Sequence, residues 1–392
     1  MKQAVILAAG EGQRLRPFTV NRPKVMLAIA GKPILSYVIE ALAQNGIRDI
    51  VLVVGYHKEQ IYDAIGSGEG QGIDIKYVTQ EKQLGTAHAL AQAKDAVGDE
   101  FFVLPGDNLI AADTLAGITE AKAPAVVVRK VPNPRGYGVV AVESGFVRAI
   151  VEKPRDIVSN TVNTGIYALT REVFDFIEEP LLDIPDVLNK MLEEERDIAA
   201  VETEGTWLDI VYPWDILNLN DAVLRRVAPR QAGTVETGVF LKGNVDIGKD
   251  TVIRSGSYIV GPVVIGNGCN IGPGACILPA TSIGDNVAVS SFTEIKNSVI
   301  GDDVSIGSGA VLHDSVVDKG CIIRERLTAV SDQSEVKVDG EYHQVKVGAM
   351  LGEGCELGAG VVLLPGTIAG NYCRVQPLKL VGGRLPDRSM VY

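Results

Sequence analysis

The chain of 392 residues, 46% hydrophobic and 22% charged, is too long for one ordinary domain and too apolar for a disordered one. Its formal net charge of −12 excludes a nonspecific partner of nucleic acid or of an anionic membrane, which needs a basic surface; a local basic pocket for phosphates remains compatible with it. No run of about 18 apolar residues predicts a membrane span. Residues 1–10 carry one Lys and a short apolar run without a signal-cleavage pattern, so they are expected to form the first strand of a cytoplasmic protein. Five cysteines, all beyond residue 268 and without C-x-x-C spacing, indicate neither a disulfide framework nor a zinc site.

Residues 4–10, AVILAAG, read as a buried strand. Residues 33–46 place apolar side chains at helical spacing, with Pro33 at the start and Gly46 at the end, and predict a helix. Strands are expected over 50–55 and 75–80, a helix over 86–97, and a strand over 101–107. This alternation predicts an α/β sheet with parallel strands, whose ligands bind beyond the carboxyl ends.

A different period governs the second half. From Val235 to Ile295 an aliphatic residue stands at every sixth position. The register slips by one, resumes at Ile300, Ile306 and Leu312, and returns from Leu351 to Val381. Four residues after each aliphatic position stands a small or short one, such as Thr251, Ser257, Cys269 and Ala275. Both positions face one side of a strand, so each six residues make a flat side and a tight corner. Three sides close a coil, and stacked coils form a parallel β-helix of the hexapeptide type. Residues 318–344 interrupt the period and predict an inserted loop and hairpin turning at Asp339-Gly340. The expected domains are 1–228 and 234–392, with the insertion at about 318–344.

After the first strand comes Gly10-Glu11-Gly12-Gln13-Arg14-Leu15. A dinucleotide fingerprint would need Gly where Leu15 stands, and a Walker loop fails because Gly31-Lys32 is followed by Pro33. What remains is a loop whose Gly10 and Gly12 bring backbone N–H groups to anionic oxygens, with Arg14 and Lys24 as compensating charges. The plain alternative is a tight turn with solvated cations.

The stretch LAAGEGQRLRPFT…RPKVMLAIAGKPIL is very similar to the opening signature of sugar-1-phosphate nucleotidylyltransferases. The match continues in the family's order at 80–87, 104–107, 136–138, 152–154, 163–165 and 207–209. The second half resembles bifunctional uridylyltransferase/acetyltransferase enzymes in architecture. The resemblance implies an α/β Rossmann-like nucleotidyltransferase domain with a mixed, mainly parallel sheet. An all-β left-handed parallel β-helix of hexapeptide repeats would follow it.

The resemblance also implies a reaction in which a nucleoside triphosphate and a sugar 1-phosphate give a nucleotide-sugar and pyrophosphate. Two anions must approach each other, so catalysis would rest on charge neutralisation and positioning. Asp107 and Asp209 match the family's metal-binding pair, and oxygen ligands suit Mg²⁺. Arg14 and Lys24 would hold the triphosphate, and Lys153 the sugar phosphate. Gln80 and the backbone of Gly85 would read the base. An amide that donates and accepts fits the O4 acceptor and N3–H donor of uracil or thymine, which favours UTP or dTTP. Glu152, Asn163 and Thr164 would contact sugar hydroxyls, and Thr86 and Gly138 complete the implied substrate-binding set. Taken singly, an Asp more often caps a turn or helix, and Lys153 beside Glu152 reads as a surface cation.

His313 is the candidate base for an acetyltransferase site on the outer face of the β-helix. The family places its His several residues earlier, near Ser308 here, and residues 324–334 lack the asparagines it expects. Three readings follow. One is a single-activity enzyme whose β-helix makes it a homo-oligomer, a trimer or a multiple of it. Another is a bifunctional enzyme that also acetylates glucosamine 1-phosphate with acetyl-CoA. The last is a catalytically silent subunit that senses nucleotide-sugar.

Overall fold

β-Branched and aromatic runs bounded by turns form the strands of the first half, in a computed structural model that describes residues 1–69, 72–154, 159–180 and 182–392. In chain order they are β1 (Gln3–Ala8), β2 (Asp49–Val54), β3 (Asp74–Thr79), β4 (Glu100–Pro105) and β5 (Ala125–Lys130). There follow β6 (Gly138–Glu143), β7 (Phe146–Glu152), β8 (Thr161–Thr170) and β9 (Ala199–Glu202). They make one sheet in the order β3-β2-β1-β4-β8-β5-β9-β7-β6. β1 pairs in parallel with β2 and β4, and β2 with β3, as the strand–helix alternation predicts. β8 runs antiparallel to β4 and β5, and the sheet is mixed beyond it.

The helices of this part are α1 (Ile34–Gln44), α2 (Lys58–Ile65), α3 (Thr86–Ala91), α4 (Ala112–Thr119) and α5 (Ile184–Glu193). α2 has no counterpart among the sequence expectations, because Ile61 is its one buried residue and leaves little periodic signal. The helix expected over 86–97 is α-helical to Ala91 and then tightens into i→i−3 turns, as in Gln92 N–H to Ala89 O. Along β1, Ala4, Ile6 and Ala8 join one buried cluster with Leu35, Val38 and Leu42 of α1. Val5 joins another with Leu90 of α3 and Leu188 of α5. Both faces of the parallel strands are thereby covered, which leaves their carboxyl ends as the open edge.

Cα proximity groups Met1–Glu11, Arg22–Met26 and Pro33–Asp209 as one unit, and Gly12–Asn21, Leu27–Lys32 and Ile210–Tyr392 as another. Helix α6 (Asp215–Leu224) belongs to the second unit, whereas a boundary at 228 would assign it to the first. Its buried Asn220 accounts for this, donating to Ala280 O at 3.0 Å and accepting from the Ala30 N–H at 3.1 Å.

The second unit carries a left-handed β-helix of three ladders of short parallel strands. One inward row reads Ile247, Ile265, Ile283, Ile300, Val317 and Leu351 on successive coils. The coil shortens by one residue where Asn297 turns the corner at φ 44°, and Asp314 repeats this at φ 46° one coil later. Asn and Asp tolerate that left-handed geometry, and Asn297 Nδ2 donates to Asp314 Oδ1 at 2.5 Å. The small corner residues have a second use. Thr251 Oγ1 donates to Gly266 O at 2.6 Å, and the thiols of Cys269, Cys321 and Cys355 donate to Gly284, Gly352 and Gly370 O at 3.1 Å each. Burial pushes the Cys269 thiol up, and all three cysteines are buried groups whose thiols satisfy the next coil's carbonyl.

The repeat does not stop at 318. Ile322-Ile323 stacks on Ser305-Ile306, and Thr328-Ala329 on Val311-Leu312. The insertion is therefore shorter than 318–344 suggests: it is the hairpin Asp332–Val338 with Glu341–Val347, turning at Asp339-Gly340. Charged outward residues conceal the coil in the sequence, while Ile323, Leu327 and Ala329 point inward and are buried. The hairpin buries Val336, Val338 and Val347, and His343 lies 4.2 Å from the ring of Tyr212. Among the described residues no helix is long and apolar enough to cross a membrane.

Candidate active site

A cleft of about 670 Å³ opens in the first unit where the parallel strands end. Leu7 near the end of β1 and Ala9 and Gly10 after it line the cleft, Gln80 follows β3, and Asp107 follows β4. The opposite wall comes from Glu152 and Lys153 at the end of β7 and from Asp183 at the start of α5. The loops before α3 and α5 brace each other. Asp183 Oδ1 accepts from Thr86 N–H at 2.9 Å and from Thr86 Oγ1 at 3.1 Å, while Thr86 Oγ1 accepts from Ile184 N–H at 2.9 Å. This mutual cap satisfies amides that a helix start leaves open. Gly85 sits at φ 138°, and a Cβ there would collide with the Leu182 carbonyl, so only glycine fits.

At the cleft floor, Asp107 Oδ2 lies 2.5 Å from Lys24 Nζ, and both side chains are largely withdrawn from solvent. Asn108, in the amide orientation that satisfies its neighbours, donates to Asp107 Oδ1 at 3.0 Å and accepts from Trp207 Nε1 at 3.0 Å. The same indole N–H reaches Thr164 O at 3.0 Å. A short antiparallel ladder pairs Ile110 with Trp207 and Leu109 with Leu208. Asp209 follows this ladder directly, one residue beyond Leu208. The donor here is a carboxylate oxygen, which suits a hard divalent ion once the Lys24 ammonium gives up its contact. Among the described residues no group of three or more His, Cys, Asp or Glu could hold a metal ion, so ligand oxygens and water would have to complete such a shell.

Of the residues expected from the sequence, Gly10, Gln80, Gly85, Thr86, Asp107, Glu152 and Lys153 line the cleft. Lys153 is held there at φ 42°, a left-handed conformation unusual for Lys. Gly138 packs under Glu152, where a Cβ would lie 2.7 Å from Oε2. Thr164 departs from expectation: its hydroxyl is buried and donates to Val127 O at 2.7 Å, so it faces the fold and not a sugar. Asn163 has both amide ends engaged, Nδ2 to Tyr167 Oη at 2.7 Å and Oδ1 from Gly165 N–H at 2.9 Å. Burial raises the Tyr167 phenol above its ordinary range, so it stays protonated as Asn163's partner. Gly12 and Arg14 fall in the second unit, where Arg14 Nε lies 3.3 Å from Asp339 Oδ2.

Gln80 also differs from its expected role as joint donor and acceptor. Its Nε2 donates to Gly85 O at 3.1 Å and lies 2.9 Å from His88 Nδ1, so its donor end is engaged within the protein. His88 and Asp183 are site residues that sequence reasoning missed. His88 lies within the 80–87 motif's own helix and three residues past Gly85, a spacing that offered a signal; Asp183, 97 residues from Thr86, offered none. On the second unit, His313 lies on the outer face of its ladder, with Nε2 2.8 Å from Glu294 Oε1. Glu294 went unnoticed because only coil stacking brings it near.

The model of the nucleotidyl transferase family matches residues 3–226, and that of the GMPPB C-terminal domain matches residues 259–346. The bifunctional protein GlmU of Methanococcus vannielii is 35% identical, over 99% of this chain and 97% of that protein. The bifunctional sugar-1-phosphate nucleotidylyltransferase/acetyltransferase of Sulfurisphaera tokodaii is 34% identical over 96% of each. The glucose-1-phosphate thymidylyltransferase of Streptomyces antibioticus is 32% identical, over 86% of this chain and 99% of that one. A Bacillus anthracis crystal structure assigned as a glucose-1-phosphate thymidylyltransferase superposes with a TM-score of 0.53 and 29% identity, over 58% of this chain and 97% of that one.

Trp207→Phe removes the indole donor shared by Asn108 and Thr164. Leaving buried acceptors unmatched is expected to cost about 1–3 kcal/mol, read as a lower urea midpoint. A wild-type midpoint would show that the network does not support the floor of the cleft.

Proposed function

Because the chain belongs to the nucleotidyl transferase family and is a sugar-1-phosphate nucleotidyltransferase, we propose that its cleft transfers UMP or dTMP from UTP or dTTP to a hexose 1-phosphate, glucose 1-phosphate or N-acetylglucosamine 1-phosphate, with release of pyrophosphate. The observation that carries this reading is Asp107, held between Lys24 and Asn108 at the end of β4. The family uses a divalent metal, and Asp107 and Asp209 would hold Mg²⁺, which when bound supplies charge neutralisation between the two phosphates. Lys24 would exchange its contact with Asp107 for triphosphate oxygens, and Lys153 would hold the sugar phosphate against the α-phosphorus for in-line attack. Glu152 would accept from sugar hydroxyls. A role for Arg14 at the triphosphate rests on the family match. Cationic and acidic groups arrayed at one cleft argue against a silent sensor.

Asp107→Asn is expected to lower kcat for pyrophosphate release by about 10²–10³-fold with an unchanged circular dichroism spectrum. Wild-type kcat at saturating Mg²⁺ would remove the metal assignment.

One observation favours a second activity. The His313–Glu294 pair orients an imidazole on the outer face of the β-helix, and the archaeal relatives are named bifunctional. In this reading His313 takes a proton from the amine of glucosamine 1-phosphate as it attacks the thioester of acetyl-CoA, and coenzyme A leaves as the thiol. His313→Ala should abolish acetyl-CoA consumption while sparing pyrophosphate release; acetylation at the wild-type rate would exclude His313 as the base.

The same face supports assembly. Phe240 and Tyr258 stack at 4.9 Å on its surface, and Leu380 is 67% exposed. Such a face suits a homo-oligomer, a trimer or a multiple of it as the resemblance implies. Light scattering should return a multiple of the chain mass, and a monomer at working concentration would exclude the assembly.

A further inference from the structure

Gln80 closes the end of β3 and is only 4% exposed, with its remaining surface on the cleft. Its amide could in principle present either end to a ligand, and the neighbours decide which. The Gly85 carbonyl carries no hydrogen, so the group 3.1 Å from it must be the amide nitrogen. That orientation turns the second amide hydrogen toward His88 Nδ1 at 2.9 Å. His88 Nδ1 is therefore the acceptor, and the ring proton sits on Nε2. Gly85 O also accepts the Ala89 N–H at 3.0 Å, so its hold on Gln80 is shared with the helix. Without His88 the second amide hydrogen would have no matched acceptor here, and the amide could turn over.

We infer that His88 is the positioning residue that sets base choice: it locks Gln80 so that Oε1, an acceptor only, faces the base of the nucleoside triphosphate. The inference rests on the nucleotidyltransferase reading of the cleft and narrows it. An acceptor at the pairing edge requires an N–H on the base. Uracil and thymine carry one at N3. Cytosine carries a lone pair there, which would meet the lone pairs of Oε1. A site whose buried polar group pairs with a substrate N–H rejects the analogue lacking it more strongly than a shape-based pocket can. The donor for O4 would come from backbone, such as the Gly85 N–H, and not from the side chain of Gln80.

UTP and CTP differ only at N3 and the C4 substituent, so their ratio isolates the claim. The test measures kcat/KM for pyrophosphate release and, independently of turnover, calorimetric binding of UTP and CTP. Wild type should prefer UTP in both. His88→Leu, which keeps apolar bulk without the acceptor, should reduce the UTP/CTP ratio at least about tenfold, mainly through KM for the nucleotide. KM for the sugar 1-phosphate should stay unchanged. His88→Gln, whose side-chain oxygen can accept in its place, should recover most of the ratio. An unchanged ratio in His88→Leu, an equal loss in both variants, or no UTP preference in wild type would overturn the inference. If no triphosphate releases pyrophosphate yet UTP binding stays selective and sensitive to His88, the catalytic reading fails while the base-reading role stands.

Discussion

The contact on which the site depends is the one at Asp107. Its two carboxylate oxygens are divided between a cation, Lys24 Nζ, and a neutral donor, Asn108 Nδ2. Each partner is fixed by something further away. Asn108 is held by the Trp207 indole, and Trp207 is carried to the floor by a ladder of two residue pairs. A reaction between two phosphorylated substrates needs positive charge that is present before they meet. A lysine already resting on a carboxylate meets that need without stranding a bare charge in a half-buried floor.

The walls of the cleft follow from how a parallel sheet ends. Covered on both faces, β1, β2 and β4 expose only their ends, and the connections leaving the carboxyl ends are free to carry polar groups. Those connections here brace one another: Asp183 and Thr86 cap both helix starts at once, and Gly85 passes under the Leu182 carbonyl where no side chain fits. The brace in turn holds the Gly85 carbonyl still, and that carbonyl and His88 Nδ1 together engage the Gln80 amide nitrogen. On the proposed reading, base choice depends on the braced loop pair and on His88 as well as on the glutamine.

The β-helix solves a different problem with simpler means. A flat ladder buries one aliphatic residue per side, and each corner leaves a carbonyl that must find a donor. At several corners Thr251, Cys269 and Cys355 supply it from the preceding coil, a use that alanine at the same position could not serve. The hairpin leaves this regular stack at Ser331 and returns by Gly348, and its turn residue Asp339 meets Arg14 within the second unit.

Much of this was legible in the residue order. Period six in the second half, and apolar runs alternating with helical spacing in the first, are statements about which side chains are buried together, and such patterns are local. The opening signature and the motifs at 80–87, 104–107, 152–154 and 163–165 likewise marked most of the residues that line the cleft. The sequence alone could not show that Thr164 turns inward, that the coil persists through 328–329, that Asp183 caps a loop 97 residues earlier, or that the amide of Gln80 has its donor end engaged. Each of these depends on which atom lies within about 3 Å of another across strands or coils. Residue order determines the chemistry available at a position; only the packed chain decides which end of an amide, and which face of a strand, is left for a ligand.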